Sequence, residues 1–152
     1  MIIRAALGAL VLASLVLAGC RSVTQSEAAP GALSLQDTDW VLIEYKSGRA
    51  GEDAVEVAPY TYTLRLDASG SAQFKLDCNR GTSTWQASPM RDGGGSLTFG
   101  RIAATMAACA TDARNEVVLR DMERVTGYSV YDGRLTMSLG SSGESYVWDR
   151  ID

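Results

Sequence analysis

Residues 60–78 read Tyr60-Thr61-Tyr62-Thr63-Leu64-Arg65-Leu66-Asp67-Ala68-Ser69-Gly70-Ser71-Ala72-Gln73-Phe74-Lys75-Leu76-Asp77-Cys78. Large apolar side chains fall at every second position from Tyr60 to Leu66, with Thr61, Thr63, Arg65 and Asp67 between them. A period of two places alternate side chains on opposite faces of an extended chain, so this is a half-buried strand. Ala68-Ser69-Gly70 turns it. Ala72, Phe74 and Leu76 then resume the alternation, and Cys78 keeps their parity, which points it into the core. Two such strands around a glycine turn make an antiparallel hairpin the unit of the fold.

The same period continues outward. Trp40 to Tyr45 forms a compact strand ahead of the hairpin. Gly81 to Ala87 follows it, with Trp85 as an inward anchor. Pro89 to Gly95 reads as a loop, and Ser96 to Phe99 as a short strand. Asp112 to Val125 is the one helix, with Thr111 or Asp112 able to cap it and Gly127 to end it. Val118, Leu119, Met122 and Val125 form its apolar stripe. Tyr128 to Tyr131 and Arg134 to Leu139 flank Asp132-Gly133, a two-residue hairpin turn. Gly140 to Gly143 turns again, and Ser145 to Arg150 closes the domain with Tyr146 and Trp148 on one face. Seven or eight short strands and one helix predict a mainly β (α+β) domain: a small antiparallel barrel-like or curled sheet capped by a helix.

The first residues are of another kind. Ala5 to Leu17 is apolar or small throughout and follows Arg4, the layout of a secretory signal peptide. It is shorter than the roughly 20 apolar residues a membrane span needs. Leu17-Ala18-Gly19-Cys20 resembles the lipobox of bacterial lipoproteins. That resemblance implies diacylglycerol on the Cys20 thiol and cleavage between Gly19 and Cys20. Two or more acyl chains anchor stably, at about 0.8 kcal/mol per buried CH₂. Position +2 is Arg21 and not Asp, which in a Gram-negative cell resembles outer-membrane lipoproteins. The expected organisation is a signal peptide over 1–19, a lipidated tether over 20–37 with a mean reach of about 20 Å, and a folded domain over 38–152.

The chain has 152 residues, 46% of them hydrophobic, enough for one domain with a core. Without residues 1–19 it carries 13 basic against 18 acidic residues, a net charge of −5. This balance argues against a nucleic-acid partner, whose phosphates call for a basic surface. It also argues against an electrostatic grip on anionic lipid. With Cys20 lipidated, Cys78 and Cys109 remain, either as a bridge or as two unpaired buried thiols. An oxidising compartment favours the bridge, worth roughly 3–4 kcal/mol by chain entropy.

With no histidine in the sequence, no Ser-His-Asp triad, Cys-His dyad or histidine-bearing metal site can form. Gly93-Gly94-Gly95 lacks the Lys and helix of a phosphate loop. Glu52, Asp53 and Glu56 match no calcium loop and read as a solvated acidic loop. Asp67 and Asp77 fall on polar strand faces. Asn79 reads as a structural turn residue beside the cysteine, with Gly81 supplying positive φ nearby. Thr105 and Met106 read as packing or loop-anchoring residues. Tyr45 and Tyr131 are candidate exposed aromatics. The expectation is a non-enzymatic protein with no catalytic residue, cofactor or metal. Its partners are a membrane, through the anchor, and an unidentified envelope component. The alternative is an inhibitor of lysozymes or proteases acting through the Ser88 to Gly95 loop.

Several of these elements together resemble the META domain, the module of the heat-shock lipoprotein HslJ and related bacterial envelope proteins. The resemblance rests on Trp40-Val41-Leu42, on Tyr62-Thr63-Leu64 before the glycine turn, and on Cys78-Asn79-Arg80-Gly81. It continues through Leu97-Thr98-Phe99, the run Ile102-Ala103-Ala104-Thr105-Met106-Ala107-Ala108-Cys109, and Leu135-Thr136-Met137 after Asp-Gly. Family members carry a glycine just ahead of the Cys-Asn element, where this chain has Phe74-Lys75-Leu76-Asp77. The resemblance implies an envelope address, paired cysteines, a role in heat shock or antibiotic tolerance, and no catalytic activity.

Overall fold

The computed structural model describes residues 34–58, 61–90, 92–109 and 114–151. Gly19, Cys20, Tyr60, Thr111 and Asp112 lie outside the described residues. The elements in chain order are β1 (Thr38–Lys46), β2 (Val55–Glu56), β3 (Tyr62–Leu66), β4 (Ser71–Leu76), β5 (Asn79–Pro89), β6 (Gly94–Phe99), β7 (Ala103–Ala104), α1 (Asn115–Met122), β8 (Val125–Tyr131), β9 (Arg134–Leu139) and β10 (Ser145–Ile151).

Eight strands run as an antiparallel meander in the order β10-β9-β8-β6-β5-β4-β3-β1, and β10 pairs back onto β1. The sheet is therefore a closed barrel with one helix across it, as the alternation implied. Closure matches Asp39 to Ile151 and Lys46 to Ser145, with a bulge between Leu42 and Glu44. β2 pairs with β1, and β7 lies beside β5. An eight-stranded barrel is just wide enough for side chains to fill it. Here Trp40, Leu42, Leu64, Leu66, Leu97, Leu135, Met137, Leu139 and Trp148 are almost wholly buried. Val118 and Met122 of α1 join the same core. Leu35, within the segment read as tether, is buried as well.

The hairpin of residues 62–76 forms as read, with Leu64 opposite Phe74 and Tyr62 opposite Leu76. Several details differ from expectation. Cys78 is exposed and does not point into the core. β4 stops at Leu76, and Asp77, at φ 56°, starts a two-residue turn that returns the chain at Asn79. The turn breaks the parity, so Asn79 is the buried residue and Cys78 the outer one. Gly81 does not have positive φ; it is a strand residue. A Cβ there would sit 3.0 Å from Ile102 Cγ2, so its lack of a side chain admits the segment leading into β7.

The helix is shorter than the Asp112 to Val125 span. It ends at Met122, and Val125 opens β8 opposite Leu139. Val125 is buried either way, so the apolar stripe runs on although the helix does not. Gly127 lies inside β8 and not at a helix end, its would-be Cβ 3.3 Å from the Gly95 carbonyl. Pro89, Gly94 and Gly95 belong to strands and not to a loop. Among the described residues no helix is long and apolar enough to cross a membrane.

Candidate functional site at the stapled cleft

Asn79 begins β5 with its side chain buried. Its Oδ1 accepts from the Thr105 hydroxyl at 2.9 Å and from the Ala107 N–H at 2.8 Å. Its Nδ2 donates to the Ala107 carbonyl at 3.0 Å. Thr105 in turn accepts the Arg80 N–H at 3.0 Å and donates its own N–H to the Arg80 carbonyl. One amide thus ties the chain after β7 to the start of β5. Buried polar groups need this kind of satisfaction. Asn79 lies just past the turn and not in it. Met106 is 68% exposed.

Cys78 and Cys109 are bridged, with their Cα atoms 5.6 Å apart. The bridge sits at the surface beside Asn79. Residues 104–109 then form one wall of an open cleft of about 480 Å³. Arg114, Asn115, Glu116, Val117 and Leu119 also line it, with Leu76 and Asn79. Arg114 makes no side-chain cap on α1. Asn115 points its Nδ2 at Cys109 Sγ, 2.9 Å away. Its Oδ1 is buried with no hydrogen-bond partner among the described residues. Arg114 and Asn115 carry no motif, so only the fold brings them to the cysteine.

Among the described residues one group of three potential metal ligands converges: Asp77, Cys78 and Cys109. Two of them are spent in the bridge and offer no thiolate. Glu52, Asp53 and Glu56 are exposed, as a solvated loop should be; Asp67 and Asp77 are half-buried.

A second polar cluster had no sequence signal. Asp121, 3% exposed, accepts from the Tyr146 hydroxyl at 2.9 Å and from Arg124 at 3.0 Å. Arg124 reaches on to Glu144 at 2.8 Å. Glu144 also accepts from Ser142 and from the Tyr45 hydroxyl at 2.9 Å. Arg124, then Ser142 and Tyr45, hold the Glu144 carboxyl down at a pKa of about 2. Burial and the neighbouring Asp121 push the Tyr146 phenol well above its usual range. Tyr45 is therefore no free surface aromatic; its ring also lies 5.1 Å from that of Tyr146. Tyr131, 85% exposed, is one.

Fold and site together define a small closed antiparallel barrel with a surface disulfide beside an open cleft. The chain belongs to the META domain family, whose model matches residues 33–150. Among solved structures it is similar to a protein from Burkholderia xenovorans determined by NMR. The identity is 26%, the TM-score 0.61, and the match covers 77% of this chain and 83% of that one. A DUF4847 family protein from Bacteroides vulgatus shares the fold at 10% identity and a TM-score of 0.56, over 78% and 96% of the two chains. No curated protein matches the sequence.

Proposed function

We propose that this chain is a lipid-anchored, non-enzymatic binding module of the cell envelope, with the stapled cleft as its recognition face and a protective role under stress. The cleft carries the reading. Its roughly 480 Å³ falls within the range of small-ligand sites, and its walls mix apolar side chains with Arg114, Asn115 and Glu116. The Leu17–Cys20 element and the Cys78–Cys109 bridge support an exported address.

A photo-crosslinker at Met106 or Val117, in intact envelopes, should trap a component that the same probe at Tyr131 does not. Equal trapping at all three positions, or none, rejects the cleft. Mass spectrometry of the mature protein should find acyl chains on residue 20; an unmodified N-terminus rejects the anchor. The inhibitor reading keeps one observation, Met90, 68% exposed just after β5. Uniform inactivity against a panel of muramidases and proteases would remove it.

A further inference from the structure

The bridge joins two unlike sulfurs. Cys78 is exposed in its turn, and Cys109 is partly covered. Two side-chain amides converge on Cys109: Asn115 Nδ2 at 2.9 Å and Asn79 Nδ2 at 3.4 Å. Only one reaches toward Cys78, at 3.8 Å. A disulfide sulfur is a weak acceptor, so these N–H groups gain little from the oxidised form. A thiolate is an anion, and hydrogen bonds to ionised acceptors are about twice as strong as neutral ones. Asn115 moreover keeps its nitrogen on the sulfur while its own Oδ1 is buried with no hydrogen-bond partner among the described residues. The amide is held for the sulfur at a cost to itself.

We propose that Cys78–Cys109 is a thiol–disulfide exchange site, in which Cys78 is the sulfur attacked and Cys109 the leaving thiolate. The co-reactant is an external dithiol. Its thiolate attacks Cys78 Sγ and forms a mixed disulfide. The Cys78–Cys109 bond breaks, and its electron pair stays on Cys109, where Asn115 and Asn79 donate to it. The second thiol of the reductant loses its proton to water and attacks the mixed disulfide. Cys78 leaves as a thiolate and takes a proton from water. The dithiol is oxidised to a disulfide and the protein is reduced to two thiols. Exchange is fastest with an accessible target sulfur and a leaving thiolate that its surroundings stabilise; Cys78 is exposed, and the two amides on Cys109 act against the Asp77 carboxylate, which lies within 4.8 Å of both sulfurs. Reduction frees Cys109 from the β4–β5 turn and leaves Asn79 to hold the cleft wall.

The test uses the folded chain with dithiothreitol as the probe. Asn115→Ala should slow cleavage and lower the exchange equilibrium constant about fivefold, about 20 mV in midpoint potential. Asn115→Asp, with a carboxylate at the same reach, should slow it further and serves if the alanine variant is unstable. In Cys78→Ser, the remaining Cys109 thiol should ionise below the usual pKa of about 8.5, and Asn115→Ala should raise it. Glutathione should be trapped on Cys78. Trapping on Cys109, an ordinary Cys109 pKa, or unchanged cleavage in both Asn115 variants would overturn the assignment.

Discussion

Trp40 and Trp148 both lie fully buried in the barrel, yet their indole N–H groups differ. Trp40 Nε1 donates to Thr38 Oγ1 at 2.7 Å. Trp148 Nε1 has no hydrogen-bond partner among the described residues. Replacement by Phe removes the same volume from each site. At Trp40 it also breaks a bond; at Trp148 it removes an orphan donor. Trp40→Phe should therefore destabilise by about 1–2 kcal/mol more than Trp148→Phe in urea unfolding. Equal losses would mean that Trp148 Nε1 is satisfied by buried water. The strands of both tryptophans were legible, and alternation put Trp148 on one face with Tyr146. The state of each N–H depends on a cross-strand neighbourhood that no single strand encodes. Cys78 shows the same limit: parity predicts its side only while the strand continues, and a two-residue turn ended it.

The elements that carry their apolar residues at every second position, β3, β4 and β9, were readable. β5 was harder, because its inward positions include Asn79 and Gly81, which give no hydrophobic signal. Their inward placement has separate causes: a polar clamp for one and a close approach for the other. Gly94 and Gly95 read as loop, but a Cβ on Gly94 would sit 2.8 Å from the Tyr128 carbonyl, which marks a tight strand pairing. At this scale Asn79 is the decisive residue for the cleft. Asn79→Ala leaves the Ala107 N–H without its acceptor and the Thr105 hydroxyl without its partner. A loss of about 2–3 kcal/mol is expected. Hydrogen exchange should rise over residues 105–109 while β9 and β10 stay protected; unchanged exchange there would show that the bridge alone holds the wall.

For the whole molecule, the Asp121 cluster ties the helix to β1, β10 and the turn before β10. The Glu144 carboxyl has a folded pKa of about 2 against an ordinary 4.5. Its contribution is therefore present above about 4.5 and is lost as pH falls through about 2. Glu144→Gln should flatten the fall of unfolding stability between those limits, and an identical acid limb would exclude the cluster. Loss of the bridge in a Cys78→Ser, Cys109→Ser double variant should cost about 3–4 kcal/mol, read from the midpoint of thermal or urea unfolding. The meander and its capping helix could be foreseen from spacing alone. The cleft could not, since residues 104–109 and 114–119, which line it with Leu76 and Asn79, carry no common motif.

Closure has a temporal side. The seam that completes the barrel joins the first barrel strand to the last, with Thr38 starting one and Ile151 ending the other. A chain delivered N-terminus first holds seven of the barrel strands with two open edges until β10 arrives. Open edges are where strands pair with the wrong neighbour. The seven residues of β10 thus act as a latch, and the barrel is most exposed to misassembly just before they pair.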